Sequence, residues 1–309
     1  RNDNPYYLPV YESIESLDPI LSYPTDDFFA CLDNGESADI NNTFTNKPDV
    51  AIGRIPADNA TKAEAIIDKI KEYYSSFSHG DWRNQVTFLA DDGDGITHIN
   101  DADRVARIVE TNYKNYNVDK IYCDAFAQQS NAGGARYPDV NSTLSKKIYS
   151  GTFFVDYAGH GGGRGLADEQ ILTYGDINNW QNKYKYPIFI TATCEFTRYD
   201  GDDYVAGERI LFQKDGGGIG MISTSRLVYA NENFETNRNL IQQLMLTSQG
   251  SKATLGEVVR ITKTMTNTRE GNRKFGLFGD PALQLAFPKY NIVTTAINSI
   301  ILPSESDTI

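Results

Sequence analysis

The chain has 309 residues, enough for two domains or one large α/β unit, and its 40% hydrophobic content is that of an ordinary globular protein able to bury a substantial core. Forty-one acidic against 29 basic residues leave a formal net charge of −12, which argues against a nucleic-acid binder and against binding anionic lipid by charge alone. No apolar run approaches the ~18–20 residues of a membrane-spanning helix, and the three cysteines, Cys31, Cys123 and Cys194, make neither a disulfide framework nor a paired zinc motif.

Residues 1–47 read as irregular, rich in Tyr, Asp, Asn and Pro. Asp49–Pro56 reads as a short strand closed by proline. Asn59 is placed to cap a helix whose apolar face carries Ile66, Ile67, Ile70 and Tyr74. His79-Gly80-Asp81 marks a subdomain boundary. A strand Val86–Ala90 then leads into the acidic loop Asp91-Asp92-Gly93-Asp94-Gly95. A helix with Ala102, Val105, Ile108 and Val109 follows, then a strand Lys120–Cys123 and a helix around Leu144 and Ile148. The strand Thr152–Ala158 runs into Gly159-His160-Gly161-Gly162-Gly163, and the strand Tyr186–Thr193 ends at Cys194. A helix over 206–213, a strand Gly218–Ser223 and helices over 233–248 and 253–266 come next. The tail holds two β-like segments, Ile292–Thr295 and Ile297–Leu302. With Arg1 rather than methionine at its start, the sequence reads as a piece of a longer protein.

Strands alternating with helices imply a mostly parallel sheet covered by helices on both faces. Ligands in such sheets bind beyond the carboxyl ends of the strands. Asp91, His160, Cys194 and Thr224-Ser225-Arg226 each follow a different strand, so parallel pairing would bring all four to one edge.

His160 sits between glycines, which leave its ring accessible and the neighbouring backbone amides free to donate to an oxyanion. A strand cysteine is usually inert packing. A second strand end carrying Gly-His-Gly changes that reading, because an adjacent imidazole can generate the thiolate. Histidine precedes cysteine by 34 residues, an order that excludes a papain-type arrangement and fits a caspase-like one. Asp91, Asp92 and Asp94 admit three readings: calcium ligands, an orienting carboxylate for His160, or a solvated turn. Arg164, Asp168, Glu169, Glu195 and Arg198 are plausible substrate contacts and equally ordinary loop charges. Gly216-Gly217-Gly218 precedes a strand and lacks a Gly-Lys-Ser/Thr sequence, so it is no phosphate loop.

Asp156-Tyr157-Ala158-Gly159-His160-Gly161, Ala192-Thr193-Cys194 and Phe278-Gly279-Asp280-Pro281-Ala282-Leu283 together resemble the gingipain-like cysteine peptidases. Tyr23-Pro24-Thr25-Asp26-Asp27 and Ile52-Gly53-Arg54-Ile55-Pro56 fit the first subdomain of that family. The longer runs around His160 and Cys194, with Ser223–Tyr229, are most similar to the family's sortase branch in type IX secretion. The resemblance implies a caspase-like fold in two subdomains: a partial first subdomain over 1–78, a catalytic subdomain over 79–288, and the start of an immunoglobulin-like domain over 289–309. It implies a His160/Cys194 dyad, Asp91 as orienting carboxylate, the amides of Gly161 and Cys194 as oxyanion donors, and Arg164, Glu195, Arg226 and Tyr229 as substrate contacts, Tyr229 standing where the family places a pocket-wall tryptophan. The aspartate that gives some members their arginine preference would fall near Gly95-Ile96, where no acid stands. The implied activity is removal of a C-terminal secretion signal from cargo, with transfer to an amine on anionic lipopolysaccharide at the outer-membrane surface, or plain hydrolysis. The implied partners are cargo signal domains and other type IX outer-membrane components. No cofactor is required, and calcium is compatible as a structural ion.

Overall fold

The computed structural model describes residues 8–13, 17–18, 20–36, 46–250, 253–266, 270–288, 296–297 and 300–301. In chain order, α1 (Ala60–Tyr74) precedes β1 (Gln85–Ala90), α2 (Thr97–Asn112) and β2 (Asn117–Tyr122). A hairpin of β3 (Gln129–Asn131) and β4 (Gly134–Arg136) leads to α3 (Pro138–Ser150) and β5 (Phe154–Ala158). A second, two-residue-stranded hairpin, β6 (Gly161–Gly162) and β7 (Gly165–Leu166), is followed by α4 (Tyr174–Asn179), β8 (Ile188–Ala192), α5 (Ala206–Phe212) and β9 (Gly220–Thr224). Then come α6 (Ala230–Thr247), α7 (Leu255–Met265), α8 (Glu270–Lys274) and β10 (Phe275–Phe278).

Six strands form one sheet in the order β10-β9-β8-β5-β1-β2. All neighbours are parallel except β10 against β9. The central strands β5, β8 and β9 are buried along their whole length, as expected for strands covered on both faces. One face is covered by α2, α6 and α7 through Val105, Val109, Leu240, Leu244 and Val258. The other is covered by α1, α3, α4 and α5 through Ile66, Leu144, Ile148, Ile177 and Ile210.

The expected helix after Asn59 forms, with the Asn59 side chain accepting from the Lys62 amide at 3.0 Å. Its inner face differs from the expectation. Ile66, Lys69 and Tyr73 are buried, whereas Ile67 and Tyr74 are half exposed. The cause is Lys69, whose ammonium donates to the carbonyls of Ile210, Leu211 and Gly218 at 2.8–3.2 Å and so rotates the helix toward the end of α5. Asp49–Pro56 contributes only a bridge, not a full strand: Arg54 pairs parallel with Phe278 at the antiparallel edge. Gly53 is required there, because a Cβ would lie 2.8 Å from the Gly279 carbonyl oxygen. Of the tail, 292–295 lies outside the described residues, and β11 (Ala296–Ile297) pairs antiparallel with β12 (Ile300–Ile301).

The N-terminal stretch is fastened by buried charge. Asp27 accepts from Lys263 at 2.6 Å and from Arg273 at 3.2 Å, all three side chains being buried. Arg54 grips Asp26 with two nitrogens. Among the described residues, no helix is long and apolar enough to cross a membrane.

Asp156, in the middle of β5, is fully buried and receives one hydrogen bond, from Asn237 at 3.0 Å. Burial pushes its pKa up to about 7, against which the Asn237 bond works only partly. Below pH ~4 both folded and unfolded chains carry the acid protonated. Between there and about 7 the unfolded chain ionises while the folded one stays neutral, so stability falls as pH rises. Asp156→Asn is therefore expected to match the wild type in thermal unfolding near pH 4. At pH 8 it should exceed it by on the order of 3 kcal/mol, and equal pH profiles for the two proteins would refute this.

Candidate active site

Parallel register builds the site. Ala90 pairs with Ala158, and Ala158 with Ala192, so the three strands end level. Asp91 follows at once, and His160 and Cys194 each stand two residues further along their own chains. Ser225 and Arg226 continue from β9 at the same edge. The expected convergence at one edge is present.

Asp91 is buried, and both its oxygens have partners. Oδ1 lies 2.5 Å from His98 Nδ1. Oδ2 accepts from the His160 amide at 2.7 Å and lies 3.2 Å from the Tyr157 hydroxyl, which is itself 2.6 Å from the His160 carbonyl oxygen. Gly159 allows this, since a Cβ there would meet the Tyr157 hydroxyl at 2.3 Å and Asp91 Cγ at 2.7 Å. Asp91 thus holds the main chain of His160, while its ring partner is His98. Burial opposes the His98 cation, but the Asp91 carboxylate outweighs it and raises the imidazole pKa.

The carboxylate facing the His160 ring is Asp94, with Oδ2 3.5 Å from Nε2. His98 stands edge-on to His160 at 4.9 Å between ring centroids. Gly93 covers another side; any Cβ there would lie 2.5 Å from His160 Cδ2.

The Cys194 loop is clamped to the end of β9. The Thr224 hydroxyl donates to the Thr193 carbonyl, the Glu195 amide to Arg226 O at 3.3 Å, and the Thr197 amide to Thr224 O at 3.1 Å. Glu195 turns the chain with φ +51, a left-handed conformation uncommon outside glycine. The Cys194 thiol donates to Val228 O at 3.7 Å. Burial pushes its pKa above the ordinary thiol value, with Glu195 in the same direction and Val228 and Lys274 against. Cys194 therefore rests as a thiol, and a thiolate would form there only when a base takes its proton.

Gly161 packs against the residue before Cys194: a Cβ would fall 2.7 Å from Thr193 Oγ1. Gly161 opposes Leu166. The flanking Ala167 amide bonds His160 O at 2.8 Å, and the Leu166 amide turns away to Leu172 O at 3.1 Å. Gly161 is thus at a non-hydrogen-bonded pair, and its amide faces away from the hairpin. Such an amide beside a cysteine can donate to an oxyanion.

The remaining expected contacts separate. Arg226 gives its guanidinium to Asp200, one contact being 2.7 Å, and so braces the cysteine loop. Beside them burial and the Asp200 charge push Glu12 up to about 7. Glu195 lies 3.7 Å from Arg198. Arg164 lines an open cleft with Arg198, Arg209, Tyr174 and Tyr204. Tyr229 is 51% exposed and directly follows Val228, the residue that receives the thiol. Asp92 accepts from the Tyr137 hydroxyl at 2.6 Å, so Asp91, Asp92 and Asp94 point to different partners rather than to one calcium position. All three cysteines are free thiols.

Sequence reading passed over His98 as one of three histidines, and Asp101 altogether. The available signal was spacing. Helix α2 starts only six residues after Asp91, so its first turns must lie over the same edge. Asp101 and His98 line a small cavity with Ala158, Gly159, Ala192, Asn233 and Phe234, so an acid does face the strand ends five residues beyond Ile96.

The family model of Peptidase family C25 matches residues 1–286. The crystal structure of the Arg-specific cysteine proteinase gingipain R superposes with a TM-score of 0.69 at 15% identity, over 85% of this chain and 60% of that one. The complex of Porphyromonas gingivalis RgpB pro- and mature domains gives 0.68 at 14% identity, over 85% and 60%. A third structure, described as a protease, gives 0.67 at 16% identity over 90% and 64%. The chain thus spans under two thirds of the solved chains it resembles. No curated protein matches at a significant level.

Alkylation of Cys194 by iodoacetamide, followed by mass spectrometry, is expected to accelerate with pH through a midpoint above the ordinary thiol value of about 8.5. A midpoint below 7 would mean a preformed thiolate–imidazolium pair and would overturn the resting arrangement described above.

Proposed function

The chain belongs to peptidase family C25, the gingipain family of cysteine peptidases, and from that premise we propose that it is the catalytic part of a type IX secretion sortase of the PorU kind. The observation that supports the chemistry is the level ending of β5 and β8, Ala158 against Ala192, beyond which His160 and Cys194 each follow by two residues. Cys194 attacks the scissile carbonyl and forms a thioester, its proton passing to His160. His160 then protonates the leaving amine. The Gly161 and Cys194 amides receive the oxyanion, each worth about 3 kcal/mol of transition-state stabilisation. Asp91 acts as a positioning residue: it fixes the His160 main chain, which fixes where the ring can go. Asp94 is the carboxylate available to the ring itself.

Water or an amine resolves the thioester. The sortase reading takes the amine, on anionic lipopolysaccharide, with cargo C-terminal signal domains as acyl donors. Its support is the long match of the histidine and cysteine loops to that branch and the arginine-lined cleft. Arg164 comes from the histidine loop, Arg198, which pairs with Asp203 of the same cleft at 3.4 Å, from the cysteine loop, and Arg209 lies over the rings of Tyr174 and Tyr204 at 4.2 and 4.5 Å. An anionic acceptor would enter there, between segments that follow His160 and Cys194 in the chain. Tyr229 walls the acyl-donor side. The enzyme works at the outer-membrane surface beside other secretion components.

The test uses the full-length protein, a peptide spanning a cargo signal junction, and a primary amine, with products read by mass spectrometry. An amine-joined acyl product that vanishes in Cys194→Ala is expected. A free carboxylic acid alone, still dependent on Cys194, would reduce the reading to a hydrolytic endopeptidase of the same family. Product formation unaffected by Cys194→Ala would remove the mechanism.

A further inference from the structure

Three side chains at the same edge bring potential metal-ligand atoms, one carboxylate oxygen and two imidazole nitrogens, close together. Asp94 Oδ2 lies 3.5 Å from His160 Nε2 and 3.8 Å from His98 Nε2. All three ligand atoms lie within 4.8 Å of one another. We propose that Asp94, His98 and His160 bind one divalent transition-metal ion of the zinc class, and that its binding switches the peptidase off.

The geometry is close to what such an ion requires. Bonds of about 2.0–2.1 Å in a tetrahedral site put ligand atoms about 3.3–3.4 Å apart. The two carboxylate–imidazole separations need to close by only a few tenths of an ångström, and Asp94 is 60% exposed and able to move. Asp91 also favours the metal-binding tautomer of neutral His98. Its Nδ1 is bonded to Asp91 at 2.5 Å, which leaves Nε2 to present a lone pair inward. A carboxylate behind a histidine ligand is the arrangement that orients imidazoles at metal centres and strengthens them as donors. Two imidazoles and one carboxylate suit zinc, cobalt or nickel rather than calcium, which takes oxygen donors. Three protein ligands leave a coordination position for solvent.

The consequence is competition. A metal on Nε2 occupies one ring lone pair of His160 and leaves the other nitrogen carrying its hydrogen, so the ring has no lone pair to receive the Cys194 proton. A metal-bound imidazole can neither take that proton nor deliver it to a leaving amine. The inhibitory half of the inference rests on the catalytic role proposed for His160; metal binding itself does not. A second group, Asp33, Glu36 and Asp49, offers only carboxylates and serves as a control.

The experiment titrates the chelator-treated full chain with Co2+ and follows the visible ligand-field absorption, then displaces the cobalt with Zn2+. One cobalt per chain with tetrahedral-type bands is expected. Asp94→Asn and His98→Gln should each weaken zinc binding ten- to a hundredfold, while Glu36→Gln and Cys194→Ala should leave it unchanged. Asp94 is exposed, so Asp94→Asn remains informative if His98→Gln fails to fold by circular dichroism. Absence of binding, binding that survives Asp94→Asn, or binding lost in Cys194→Ala would overturn the site. Peptide cleavage should fall in proportion to zinc occupancy and return with chelator. Full occupancy without inhibition would overturn the switch and count against His160 as the proton carrier, while leaving the metal site standing.

Discussion

A carboxylate buried at the end of β1 is tolerable only if both oxygens are bonded, because an unpaired buried charge costs several kcal/mol. Asp91 meets that condition with His98 Nδ1, the His160 amide and the Tyr157 hydroxyl. The partners come from α2, the histidine loop and β5, so satisfying one carboxylate ties three elements together at the edge where chemistry is proposed. The main chain of His160 is thereby fixed while its ring stays 44% exposed. That combination suits a group that must hold position and still reach a substrate.

The cysteine side is held differently. Thr224, Arg226 and Val228, all from the end of β9 and the loop after it, receive or donate the bonds that shape residues 193–197. Arg226 is itself locked by Asp200, five residues past Glu195 in the same region. Histidine and cysteine loops therefore take their shape from opposite neighbours in the sheet, β1 on one side and β9 on the other. They meet where β5 and β8 end level. The thiol rests on a backbone carbonyl and the imidazole faces a carboxylate, so the proposed proton transfer between them would need both to change partner.

Cohesion of the rest follows from the antiparallel edge. The segment around Arg54 bridges to β10, Gly53 and Gly279 approach to backbone contact, and Asp26 and Asp27 reach Arg54, Lys263 and Arg273. Buried ion pairs of this kind contribute less net stability than apolar packing would, but removing one member leaves the others stranded. They specify one docking of residues 20–36 and 46–56 onto α7, α8 and β10. The motifs Ile52–Pro56 and Phe278–Leu283 are two halves of a single contact.

Much of this architecture was legible in the sequence, because period and punctuation act locally. Apolar runs ended by Asp91, Gly159 and Cys194 mark buried strands and their loops, and alternation with helices forces parallel pairing and hence one active edge. His160 and Cys194 were legible for that reason. The inner face of α1 was not. Lys69 turns inward because three carbonyls at the end of α5 and before β9 receive its ammonium, and no pattern within α1 encodes those distant acceptors. Arg226 read as a free substrate contact until Asp200 was found against it. His98 and Asp94 join His160 only because α2 starts over the strand ends. Sequence determined which residues end the strands, since that depends on neighbours along the chain. Tertiary structure alone decided what each side chain faces, since hydrogen bonds and ion pairs at the edge join residues from strands and loops dozens of positions apart.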